Sequence, residues 1–180
     1  MTRRYRKPID DNERDVKDVD RARKRTLDRA VRLLAAKPRS TGELRRRLLE
    51  KPWTDHEIVE AVLAKLIEYG YLDDAQYALD LAAAKLREKP QGRYRLARVF
   101  ADKDVEAETV RAAIDAAYSQ FSEASALDLA IEKRIRVRGK PANPKQRKSM
   151  VDHLLRLGFS YSLIRDRIDA MLEMPDYGTD

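Results

Sequence analysis

Leu44, Leu48, Trp53, Ile58 and Val62 set up a spacing of 0, 4, 9, 14 and 18 residues that recurs twice. It starts again at Leu96, with Phe100, Val105, Val110 and Ile114, and at Met150, with Leu154, Phe159, Ile164 and Ile168. Apolar residues four apart share a helix face, whereas a half-buried strand needs a period of two. Each set therefore reads as two apolar helical stripes joined by a corner that Trp53, Val105 or Phe159 plugs. The string ALDLA, at Ala78–Ala82 and Ala126–Ala130, marks a further helix ahead of each pair. Leu79 stands 17 residues before Leu96, as Leu27 does before Leu44, but Leu127 stands 23 before Met150. The third copy thus carries six extra residues between its first and second helices.

Repetition on this scale predicts an all-α chain of three tandem three-helix repeats forming an elongated, curved array. The expected boundaries are a charged, mobile tail over 1–23, repeats over 24–72, 73–119 and 120–174 with a basic insertion at about 136–145, and a tail over 175–180. Local signals agree. Ser40 before Thr41-Gly42-Glu43 has the form of a capping box, and Thr54 and Ser160 are placed to open third helices. Asp73 and Asp74 read as carboxylates at a helix start; with no histidine or third carboxylate nearby, a metal site is not expected there. Helix formers dominate a chain with 38% charged residues and only six glycines.

Four strings, KPRSTGEL from Lys37, GYLDDAQYA from Gly70, GRYRLARVFADKDV from Gly92 and KQRKSMVDHLLRLGFS from Lys145, resemble in order and spacing the signature segments of the RecX family of recombination regulators. The resemblance covers about residues 24 to 170. It implies a non-enzymatic protein that binds the RecA–DNA filament and modulates, chiefly by inhibition, RecA's ATPase, strand exchange and co-protease activities in recombination, DNA repair and the SOS response. The chain departs from the family pattern at its basic third-repeat insertion and its charged N-terminal extension.

The residues themselves offer no catalytic constellation. His56 and His153 lie far apart in sequence, each as a polar residue on an amphipathic helix, and cysteine is absent. Gly139-Lys140 is followed by Pro141 and lacks the upstream glycine of a phosphate-binding loop, so any effect on ATP hydrolysis is expected to act on a partner. No cofactor is expected. The absence of thiols and of long apolar runs predicts a cytoplasmic protein with no membrane partner, and a monomer is expected. The formal charge of +7 favours polyanions or acidic protein surfaces as partners.

The segment from Lys133 to Lys148, KRIRVRGKPANPKQRK, holds eight basic residues and no acidic one. A helix C-terminus welcomes Arg136 and Arg138 but does not account for Lys145, Arg147 and Lys148 further on. Arg134, Arg136, Arg138, Lys140, Lys145, Arg147 and Lys148 are therefore the leading candidates for contact with the RecA filament or with single-stranded or duplex DNA. Arg93, Arg95, Arg98 and Lys103 form a lesser set, and Arg45, Arg46 and Arg47 a third; both lie on amphipathic helices, where such runs are ordinarily solvated faces, but the first is retained among the candidates. The competing reading is a helix-turn-helix protein acting on duplex DNA, because LLRLGFSYSLIRDRI at Leu154–Ile168 has a glycine-containing turn and the right periodicity. Asp55, Glu57, Glu60, Glu106 and Glu108 in the corresponding helices of the other copies would be repelled by phosphate. A purely structural scaffold, the third class, would need no basic cluster.

Overall fold

The computed structural model describes residue 14 and residues 16–173, so most of the expected N-terminal tail and the tail over 175–180 lie outside the described residues. Among the described residues all regular structure is helical, in chain order α1 (Val19–Ala36), α2 (Thr41–Leu49), α3 (His56–Glu68), α4 (Asp74–Glu88), α5 (Arg93–Arg98), α6 (Ala107–Gln120), α7 (Glu123–Arg138), α8 (Pro144–Arg156) and α9 (Tyr161–Glu173). The first helix begins before the boundary of 24 read from the sequence, because Asp18 caps it by accepting a hydrogen bond from the Arg21 amide.

By compactness the chain divides into two units, residues 1–78 with 102–109, and residues 79–101 with 110–180. The trio α4–α6 contributes to both, so these units differ from the three segments marked by the sequence repeat. Inside the first, Ala30, Leu44, Leu48, Val59, Val62, Leu63, Leu66 and Leu72 form one apolar cluster. Leu96, Phe100, Ile114, Leu127, Met150, Leu154, Phe159, Ile164 and Ile168 are buried in the second. Of the fifteen stripe positions only Trp53, Val105 and Val110 stay half-exposed. Trp53 lies beneath the Arg25 guanidinium, 4.0 Å from ring centre to Cζ, so its corner is closed by a cation over an indole rather than by a buried plug.

Helix starts follow the sequence signals with two corrections. Ser40 accepts from the Glu43 amide at 3.0 Å, but the Glu43 carboxylate turns to Arg39 and Lys37 instead of completing a capping box. Thr54 does not open α3: Asp55 does, accepting from the Ile58 amide, while the Thr54 hydroxyl is buried against that of Thr26 at 2.9 Å. Ser160 accepts from the Leu163 amide as expected. Asp73 caps α4 through the Gln76 amide, and Asp74 reaches across to the Thr41 amide at the start of α2. Both carboxylates thus serve helix N-termini.

One joint occurs in each unit. In the first, the Ser40 hydroxyl donates to the Lys103 carbonyl, and Gly42 lies so close to Asp104, itself at φ 50°, that a Cβ at Gly42 would overlap it. In the second, the Gly92 amide donates to the Leu157 carbonyl at 2.9 Å and the Tyr94 amide to the Gly158 carbonyl at 3.1 Å, while a Cβ at Gly92 would strike the Gly158 backbone. The partners correspond by position. Ser40 and Gly92 stand four residues before Leu44 and Leu96, and Asp104 and Gly158 four residues after Phe100 and Leu154. A second helix therefore starts against the corner of the next trio twice over. The equivalent first corner, around Pro52, is met by Arg14, whose guanidinium donates to the carbonyls of Leu49, Lys51 and Thr54 at 2.9 to 3.2 Å.

Candidate functional site

The extra residues of the third trio lengthen its first two helices more than its linker. Measured from Leu127, α7 runs two residues further than α1 does from Leu27; the linker is one residue longer, and α8 begins three residues earlier relative to Met150. The linker is built rather than slack. Gly139 takes φ 78° and donates to the Ile135 carbonyl at 2.7 Å, a geometry that side chains resist. Pro141 is buried. Asn143 caps α8 through the Gln146 amide at 2.9 Å, Pro144 occupies the first turn, and the Gln146 side chain accepts from the Ala142 amide at 2.8 Å.

Between these lengthened ends lies a hollow of about 220 Å³ lined by Arg134, Arg138, Gly139, Lys140, Pro141, Gln146, Ser149 and Met150. Arg134 and Arg138 stand one turn apart on α7 and so share a face. Arg134 donates to the Ser149 hydroxyl at 3.4 Å. Met150 and Pro141 give the hollow buried apolar walls, and no carboxylate lines it. One turn along α8, burial and then the cations Arg134 and Arg156 hold the His153 imidazole below the usual histidine range.

The sequence candidates separate into three groups. Arg134, Arg138 and Lys140 converge on the hollow. Arg136, Lys145, Arg147 and Lys148 are exposed but do not line it; at 3.6 residues per turn Arg136 points roughly 200° away from Arg134. No ion pair joins Arg136, Arg138, Lys145, Arg147 or Lys148 to a carboxylate among the described residues. The lesser set is largely engaged. Arg93 pairs with Asp115 and, through Nε at 3.1 Å, with Glu123, and lies over the Tyr118 ring. Arg95 donates to the Arg156 carbonyl at 3.3 Å, Lys103 pairs with Asp102 at 2.9 Å within the first unit, and Arg98 is exposed. Likewise Arg45 pairs with Glu60, Arg46 with Asp104 and Arg47 with Glu50. Of the three candidate sets, the one in the lengthened third trio has the fewest ion pairs among the described residues. Sequence reading missed the parts Gln146 and Ser149, although the N-P-x-Q run at Asn143–Gln146 is a recognisable helix start.

Among the described residues no cluster of three or more His, Cys, Asp or Glu side chains could hold a metal ion, and no helix is long and apolar enough to cross a membrane. Trios of helices with a recurring joint and one basic end define a tandem-helical protein of the helix-repeat class. The family model for RecX, first three-helix domain, matches residues 27–66. Regulatory protein RecX of Thermobifida fusca is 33% identical over 144 residues, covering 78% of this chain and 77% of that protein. Regulatory protein RecX of Chlorobaculum tepidum is 31% identical over 147 residues, covering 81% and 88%. The crystal structure of RecX from Lactobacillus salivarius superposes with a TM-score of 0.75 over 86% of this chain and 98% of that one; at 19% identity this likeness speaks for the fold. The chain belongs to the RecX family of regulatory proteins.

Proposed function

We propose that this chain binds the RecA–DNA filament as a monomer in the cytoplasm and lowers RecA's DNA-dependent ATP hydrolysis, strand exchange and co-protease activity without hydrolysing ATP itself. Its working repeats are residues 24–72, 73–119 and 120–174, and its contact surface is the basic end of the third. The observation that carries this reading is the basic cluster Arg134, Arg136, Arg138, Lys140, Lys145, Arg147 and Lys148, of which Arg136, Arg138, Lys145, Arg147 and Lys148 have no ion pair among the described residues, whereas Arg45, Arg46, Arg47 and Arg93 pair internally. The family membership supplies the partner. A direct duplex-binding role through α9 has less support, because Arg165 pairs with Asp166 and Arg167 with Asp128, each at 3.1 Å.

RecA ATPase on single-stranded DNA, titrated with this protein, tests the proposal. Turnover should fall. Changing Arg136, Arg138, Lys140 and Lys145 to Glu should leave helicity intact, since exposed substitutions ordinarily alter stability by about 0.5 kcal/mol or less. The same change should abolish most of the inhibition. Unchanged RecA turnover at saturating wild-type protein, or full inhibition by the charge-reversed variant, refutes the assignment.

A further inference from the structure

We infer that the hollow between α7 and α8 is a phosphoryl-binding site, with Arg134, Arg138 and Lys140 as its cationic contacts and the Ser149 hydroxyl and Gln146 amide as its polar wall. The inference rests on the proposed role of the basic end and narrows its chemistry from any acidic surface to phosphate. Two observations carry it.

The first is convergence. Three cations from α7 and the linker and two neutral hydrogen-bonding side chains from α8 meet around one concave space, with no carboxylate among the lining residues. A tetrahedral phosphoryl group presents several oxygens in different directions and can take guanidinium donors from two arginines while leaving oxygens for an ammonium and a hydroxyl. A protein carboxylate has two oxygens in one plane, and a single arginine fork satisfies it. The buried side of Met150 and Pro141 excludes water and lowers the local dielectric constant, which strengthens each of these contacts.

The second is position. Gln146 stands four residues before Met150, the offset at which the N-caps Ser40 and Gly92 stand before Leu44 and Leu96, although α8 starts earlier and takes Asn143 as its cap. Those two receive the corner of the following trio, through the Lys103 carbonyl and through the Leu157 carbonyl. The third such place has no following trio to receive among the described residues, and its lengthened helix ends are basic. A surface that elsewhere meets backbone carbonyl oxygens is here open and positively charged, which suits phosphoryl oxygens.

The test uses the whole protein and inorganic pyrophosphate, followed by nuclear magnetic resonance, with oligothymidylate and poly-glutamate as competitors. Pyrophosphate should shift resonances of Arg134, Arg138, Lys140 and Ser149. It should also raise the titration midpoint of His153, because an anion at Arg134 offsets one of the cations that depress it. Arg134→Gln with Arg138→Gln should weaken pyrophosphate by at least about tenfold, having removed charge-assisted hydrogen bonds. Lys133→Gln with Arg136→Gln, which removes equal charge from elsewhere on α7, should weaken it by less than about threefold. Circular dichroism checks that both variants fold, and Lys140→Gln, at an exposed position, repeats the measurement should the arginine pair unfold. Competition by oligothymidylate identifies a polynucleotide backbone as the source of the phosphoryl group; binding of pyrophosphate without such competition identifies a free phosphorylated ligand. The inference is overturned if pyrophosphate leaves these residues unshifted, if both double variants weaken it equally, or if poly-glutamate competes as well as oligothymidylate. Absence of pyrophosphate binding in a protein that still lowers RecA turnover removes the hollow and leaves the RecA reading standing. Pyrophosphate binding by a protein without effect on RecA does the reverse.

Discussion

Gly158→Ala should destabilise the second unit by about 3 kcal/mol, because two penalties fall on one methyl group. Gly158 sits at φ 90°, where an L-residue pays roughly 1–2 kcal/mol. Its Cβ would also overlap the backbone of Arg95 at the start of α5, and a backbone cannot swing aside as a long side chain can. Gly139→Ala separates the two penalties: it shares the positive φ, at 78°, lies in the same unit and has nothing within 4 Å of the added carbon. It should cost about 1–2 kcal/mol, the backbone penalty alone, since φ 78° with ψ 169° is a region nearly confined to glycine. Urea denaturation followed by circular dichroism measures both, and equal losses would show that the close approach of α5 to this corner is not what demands glycine.

Glu43→Gln should be of similar severity, costing about 3–5 kcal/mol. The Arg39 and Glu43 side chains are each only 7% exposed, so removing the carboxylate strands a buried guanidinium. Replacing both partners, Arg39→Met with Glu43→Leu, should recover most of the loss, since the desolvation of both ions is then avoided. The same group sets an acid limit. Burial works to raise the Glu43 carboxyl, but the Lys37 hydrogen bond and the charges of Arg39 and Lys103 outweigh it and hold it below the ordinary 4.5. A carboxyl whose folded value is depressed stabilises the fold fully above its unfolded value, and that contribution disappears as pH falls through the folded one. The wild-type protein should therefore lose stability below about pH 4.5 more steeply than the Met/Leu variant. Parallel pH profiles would rule this out.

Helix content was legible in the sequence because its signal is local: twelve of the fifteen stripe positions are buried, and the caps at Ser40, Asp73 and Ser160 form as their side chains suggest. What local pattern could not convey was pairing between distant residues. Thr54 looked like a cap, yet its hydroxyl finds Thr26, and Asp55 then serves the helix. Arg93 looked available for a partner, but Asp115 and Glu123, 22 and 30 residues away, enclose it. The basic strip was visible as composition, whereas its division around α7 into an inward group of Arg134 and Arg138 and an outward Arg136 depends on the helix continuing through Arg138.

The contact between a helix start and the next corner joins two unlike surfaces, and a contact of that kind contains no instruction to stop; repeated head to tail, it propagates. At the two described ends of the seam the chemistry differs. Arg14 occupies the carbonyls of the first corner, which a preceding helix start would otherwise meet. At the far end Gln146 and Lys148 stand where Ser40 and Gly42 stand in the first trio and Gly92 and Tyr94 in the second, so a long cationic side chain occupies the place of Gly42. Another copy of this chain could extend that seam only by giving up its Arg14 contacts and setting its corner against Lys148.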